Sequence, residues 1–178
     1  LQGRIFFNRQ LLKADQLEFS AFGGKTYAQA ELMNSPNHSG LLLDSRLYLE
    51  NINIHQVFES FQDFNQQYIT ANNLRGLVNG EVKLKSNLNN NLIINKKSLY
   101  TLCDFDIVEG KLLHFEPLIK MADFVSLKEL REVTFSRLSN EITIENQTVH
   151  IPEMDIQSSA FDITISGYHT FRNQFSYQ

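Results

Sequence analysis

The stretch Leu138-Ser139-Asn140-Glu141-Ile142-Thr143-Ile144-Glu145 decides the fold, together with Val149-His150-Ile151 and Asp162-Ile163-Thr164-Ile165. Ile142 and Ile144 are separated by Glu141, Thr143 and Glu145, and Met154 and Ile156 are followed by Phe161, Ile163 and Ile165. This is a period of two. Successive side chains of a strand point to opposite faces, so the pattern describes a sheet with one apolar and one wet face. No catalytic constellation accompanies this regularity. The candidate functional residues are therefore the apolar set itself: Ile142, Ile144, Met154, Ile156, Phe161, Ile163 and Ile165.

Working outward, Gly3 to Phe7 reads as a strand. Leu17, Phe19 and Ala21 alternate with Glu18 and Ser20 up to the turn pair Gly23-Gly24. Lys25 to Leu32 reads as a weaker strand, ended by the loop cluster Asn34-Ser35-Pro36-Asn37. Leu41, Leu43, Leu47 and Leu49 mark a further strand with Asp44, Arg46 and Glu50 on its other face. The period then changes. Ile54, Val57, Phe58, Phe61 and Phe64 have helical spacing, with Asn51 or Asn53 available as N-cap. Alternation returns from Leu74 to Leu84; a polar turn at Asn87 to Asn91 and an apolar run at Leu99 to Ile107 follow. Glu116 to Leu130 predicts a second amphipathic helix, with Pro117 in its first turn, and Pro152 predicts a bulge or break in the last sheet segment.

The expectation is one β-rich domain over residues 1–178: an elongated, curved, mostly antiparallel sheet, open like a trough or taco, with two amphipathic helices. The alternative is that the apolar faces close over one another, or lie under the helices, as an ordinary core.

Composition bounds function. With 42% hydrophobic and 20% charged residues the chain is that of a folded protein, and no stretch approaches the roughly 20 apolar residues that a spanning helix needs. A net charge of -4, with basic residues scattered apart from the pair Lys96-Lys97, argues against nucleic acid as a partner. The single cysteine, Cys103, sits among Leu102, Phe105 and Ile107 and reads as a buried hydrophobe. Leu1 and Gln178 both read as cut ends, so an excised piece of a longer protein is expected.

Five histidines, His38, His55, His114, His150 and His169, lack the spacing of a metal site. Asp104 and Asp106 share a strand face with Glu109 close behind, and they read as a solvated face because no second ligand set is visible. Gly23-Gly24 lacks the flanking pattern of a phosphate loop, and no serine stands in a nucleophile elbow. Asn37-His38-Ser39 and Asn146-Gln147-Thr148 match the glycosylation acceptor pattern, a short match that is common by chance. No enzyme, metal or cofactor is expected.

From Gly110 onward the succession Gly110-Lys111-Leu112, Phe115-Glu116-Pro117, Phe135-Ser136-Arg137-Leu138-Ser139-Asn140, Ile151-Pro152-Glu153-Met154 and Ile165-Ser166-Gly167-Tyr168-His169-Thr170-Phe171 resembles the C-terminal region of the AsmA family. The resemblance is clearest over 110–177. It is looser upstream, where Leu1-x-Gly3, Gly23-Gly24 and Leu74-x-Gly76 fall at compatible places. It implies a periplasmic module whose parent is anchored in the inner membrane by a helix that this chain does not contain. It also implies phospholipid transport between inner and outer membranes along an apolar groove, a role in outer-membrane assembly, and contact with phospholipid acyl chains and other envelope proteins. No catalytic residue comes with it. A β-rich extracytoplasmic module that binds polysaccharide or protein is the second reading; the absence of tryptophan weighs against a glycan platform, although six tyrosines are present.

Overall fold

The computed structural model describes residues 1–178 apart from 36–39, 66, 68, 120–130, 160–161 and 173. The alternating segments become ten strands: β1 Gln2–Phe7, β2 Leu11–Ala21, β3 Gly24–Asn34, β4 Leu41–Asn53, β5 Leu74–Leu88, β6 Tyr100–Leu113, β7 Glu132–Glu145, β8 Thr148–Gln157, β9 Asp162–Thr170 and β10 Phe175–Tyr177. Each pairs antiparallel with its sequence neighbours, and the spatial order is the sequence order. The protein is mainly β, a single open meander with β1 and β10 at its edges. Connections alternate between two rims. One rim carries the β1–β2, β3–β4, β5–β6, β7–β8 and β9–β10 connections, and the other carries the remaining four, including those with helical segments.

The strands run longer than their alternation suggests. β5 extends to Leu88 and β6 to Leu113, past the predicted ends at Leu84 and Ile107. In β5 the polar Ser86 takes an inward position and Leu88 resumes the apolar row; in β6 the reason is a bulge, where Glu109 takes φ 53°, the ladder skips, and Gly110 and Leu112 return to the face of Ile107. Gln16 and Asn51, at φ 51° and 53°, mark similar irregularities in β2 and β4. A reading by strict alternation stops at each.

α1, Ile54–Ser60, starts where predicted. The Asn53 side chain accepts a hydrogen bond from the Gln56 amide at 3.3 Å, an N-cap that satisfies one of the free donors of the first turn. It ends four residues before Phe64. Gln62, Asp63 and Phe64 have φ of 52°, 54° and 53°, and the Asp63 carboxylate accepts from the Ala71 amide at 2.6 Å, which turns the chain back toward β5. Among the described residues α1 is the one helix longer than a single turn, where the sequence predicts two. In the expected second helix a turn α2, Glu116–Ile119, is present; residues 120–130 lie outside the described residues.

The Pro152 expectation is met by a register shift between Ile151 and Met154 in the β8–β9 ladder. Its effect on β7 is larger. Among the described residues β7 and β8 pair at Thr143–His150, Ile144–Val149 and Glu145–Thr148, then again only at the bridge Phe135–Ser158. Between these points the bulge in β8 has changed phase and β7 has not, so inward residues of one strand oppose outward residues of the other. A regular ladder cannot form across such a mismatch. Asn140 fills the gap: its Nδ2 donates to the Pro152 carbonyl at 3.1 Å and its Oδ1 accepts from the Glu141 amide at 2.7 Å.

Candidate functional site

Residues directly opposite in an antiparallel ladder project to the same side. Ile144 stands opposite Thr101 and Val149, Ile142 opposite Cys103, Met154 opposite Ile165 and Ile156 opposite Ile163. The six described members of the sequence-derived set therefore share one face; Phe161, the seventh, lies outside the described residues. All six are half-buried.

The same face continues where the sequence reading did not take it. Cys103 pairs with Val82, Val82 with Leu47, Leu47 with Ala28 and Ala28 with Leu17. One row further, Thr101 pairs with Leu84, Leu84 with Ser45, Ser45 with Ala30 and Ala30 with Ala14, which faces Ile5 of the edge strand. Tracing every printed pair in this way puts no Asp, Glu, Lys or Arg on this face among the residues in ladder register. The alternation at Leu41 to Leu49 and Leu74 to Leu84 was the signal for the upstream half. Which side each run faces depends on the bulges, so register alone joins them.

The charges are on the reverse face, laid out as cross-strand pairs. Lys13–Glu31 is at 2.7 Å, Lys85–Asp44 and Lys111–Glu132 at 2.8 Å, and Arg46–Glu81 at 2.9 Å. Asp106, read above as part of a solvated face, is held by Arg137 at 2.8 Å from two guanidinium nitrogens and by the Ser139 hydroxyl; these bonds lower its pKa. Exposed pairs of this kind add little stability, and what they do here is keep one face wet. His55 Nδ1 donates to the Ala71 carbonyl at 2.6 Å, and His169 Nδ1 lies 2.9 Å from the Tyr177 hydroxyl. Among the described residues no group of three potential metal ligands gathers.

Coverage of the apolar face is uneven. Ile52, Leu74, Val78, Ile107, Phe135 and Leu138 form a buried cluster toward the helix-bearing rim, and Ile54, Val57 and Phe58 of α1 pack against it. Phe61 and Phe64 do not; each is 55% exposed, and they stack on one another at 5.5 Å. Toward the other rim Leu43, Leu47, Val82, Leu84, Ile142 and Ile144 remain partly open. Burial pushes the Cys103 thiol, in that zone, up to about 11, with Asp104 adding to the shift. A few polar groups are set into the face. Ser86 is 1% exposed and bonds the Asn87 and Asn95 carbonyls, while Asn140 is occupied by the β7–β8 seam.

The fold and the site thus define an open antiparallel meander with one ion-paired face and one apolar face that carries no Asp, Glu, Lys or Arg among the described residues in register. No family model, curated protein or solved structure matches the chain.

Proposed function

We propose that this chain is a non-enzymatic, AsmA-like lipid-carrying module whose apolar face receives phospholipid acyl chains. In this reading it works in the periplasm, within a parent anchored in the inner membrane, in phospholipid transport between the inner and outer membranes and in outer-membrane assembly. The observation that carries it is that, among the described residues, no Asp, Glu, Lys or Arg stands in register on one face of ten successive strands, part of which stays open. An exposed apolar surface of that extent marks a ligand or partner surface. Nine strand intervals of about 4.8 Å make the face roughly 43 Å wide, several times the acyl length of one leaflet of a bilayer whose apolar core is about 30 Å thick. Burial alone favours acyl chains there, by about 0.8 kcal/mol per methylene removed from water. The finer shape that suits this role, a curved trough, belongs to the same proposal, as do the acyl-contacting roles of Ile142, Ile144, Met154, Ile156, Phe161, Ile163 and Ile165.

Native mass spectrometry of the purified chain tests it. The wild type is expected to carry phospholipid. Ile163→Glu is expected to lose lipid while keeping its fold, because a charge in an open trough stays hydrated, and Thr164→Glu on the wet face is expected to retain lipid. In a closed core the same buried charge would cost several kcal/mol and unfold the domain. A wild type without lipid, joined to an Ile163→Glu variant that melts out, would overturn the reading.

A further inference from the structure

We propose that the β5–β6 hairpin tip, Leu92-Ile93-Ile94 with Lys96-Lys97, is a contact point for an anionic phospholipid bilayer. The connection spans residues 89–99, the longest on its rim, where the others cover 8–10, 35–40, 146–147 and 171–174. At its tip Leu92 and Ile93 are each 61% exposed and Ile94 is 41% exposed. This exposure is built. The Asn89 side chain accepts from the amides of Asn91 and Ile93 at 2.9 and 3.0 Å, the Leu92 amide donates to the Asn89 carbonyl, and Leu88 bridges Ile94. The turn is held by its own backbone and presents three aliphatic side chains to solvent.

The charge pattern selects the occupant. Lys13, Lys83, Lys85 and Lys111 on the strands are each ion-paired, whereas Lys96 and Lys97 have no ion pair among the described residues. They lie in the longest acid-free stretch of the chain, Val82 to Cys103, in a protein of net charge -4. Aliphatic side chains beside unpaired lysines match a bilayer interface, where the first enter the acyl boundary and the second reach the headgroup phosphates. A protein interface favours the opposite, since lysine is depleted there. The exposed pair Phe61 and Phe64 on the other rim lacks this complementarity, being flanked by Glu59 and Asp63.

Vesicle co-sedimentation of the whole chain decides the matter, using phosphatidylcholine vesicles with and without added phosphatidylglycerol. Binding is expected only with phosphatidylglycerol and is expected to weaken with salt. Lys96→Gln with Lys97→Gln should lower affinity roughly 25-fold, at about fivefold per lysine. Leu92→Ser with Ile93→Ser should abolish binding, and Phe61→Ser with Phe64→Ser should leave it unchanged. Circular dichroism verifies that the variants, all at exposed positions, keep the strand signal. A wild type that ignores phosphatidylglycerol, or hairpin variants that bind like wild type, would overturn the proposal. So would wild-type self-association that Leu92→Ser with Ile93→Ser removes, which would mark a protein contact instead. Lipid carried through purification reads the apolar face and not this tip, so the two proposals fail separately.

Discussion

A single missing side chain fixes the closest approach in the core. Gly110 is opposite Phe135, and a Cβ built on it would stand 1.9 Å from the Phe135 ring, which itself is 6% exposed. The ring lies over the glycine and joins the cluster of Ile107 and Leu138. Gly110→Ala is therefore expected to destabilise the fold by about 1–3 kcal/mol, the range for overpacking a filled core, as read from urea denaturation. Gly110→Ala combined with Phe135→Leu should recover part of the loss, because the ring atoms in conflict are gone; a double variant no better than the single would point to backbone strain instead. In the sequence Gly110 stands out only within the succession Gly110-Lys111-Leu112. Its contact is made across strands and leaves no local signal.

Among the elements, β8 is joined to β7 by three ladder pairs and one bridge, although both strands are ten residues or longer. Its bulge at Pro152 puts it out of phase with β7, and the Asn140 amide spans the gap. Asn140→Ala removes both the donor to the Pro152 carbonyl and the acceptor for the Glu141 amide, at a position only 9% exposed. Leaving such groups unmet costs about 1–3 kcal/mol. Hydrogen exchange should then quicken across β8, β9 and β10 while β3 to β6 stay protected; uniform acceleration would show that the seam does not divide the sheet. Pro152 announced this irregularity in the sequence, since proline has no ladder donor. The residue that repairs it did not, because Asn140 sits at an inward position of an alternating run where an apolar residue is the expectation.

At the scale of the molecule, the buried cluster Ile52, Leu74, Val78, Ile107, Phe135 and Leu138 lies wholly within β4 to β7. A chain ending at Glu145 is therefore expected to unfold cooperatively, with a urea m-value smaller in proportion to the lost surface; absence of a transition would place essential contacts in β8 to β10. Period-two patterning made the β class, most strands and the shared face of Ile142, Ile144, Ile156 and Ile163 legible. It could not carry the face across the bulges at Gln16, Asn51 and Glu109, nor foresee that Asp63 would end α1 early, since both depend on partners distant in sequence. The order of strands in space has one more consequence. Because each strand is hydrogen-bonded only to the strands before and after it among the described residues, such a sheet grows by accretion: a hairpin added at an edge widens the oily surface by about 10 Å without disturbing any existing pair. Span is then a matter of copy number, and a protein of this design can be fitted to a gap by counting strands.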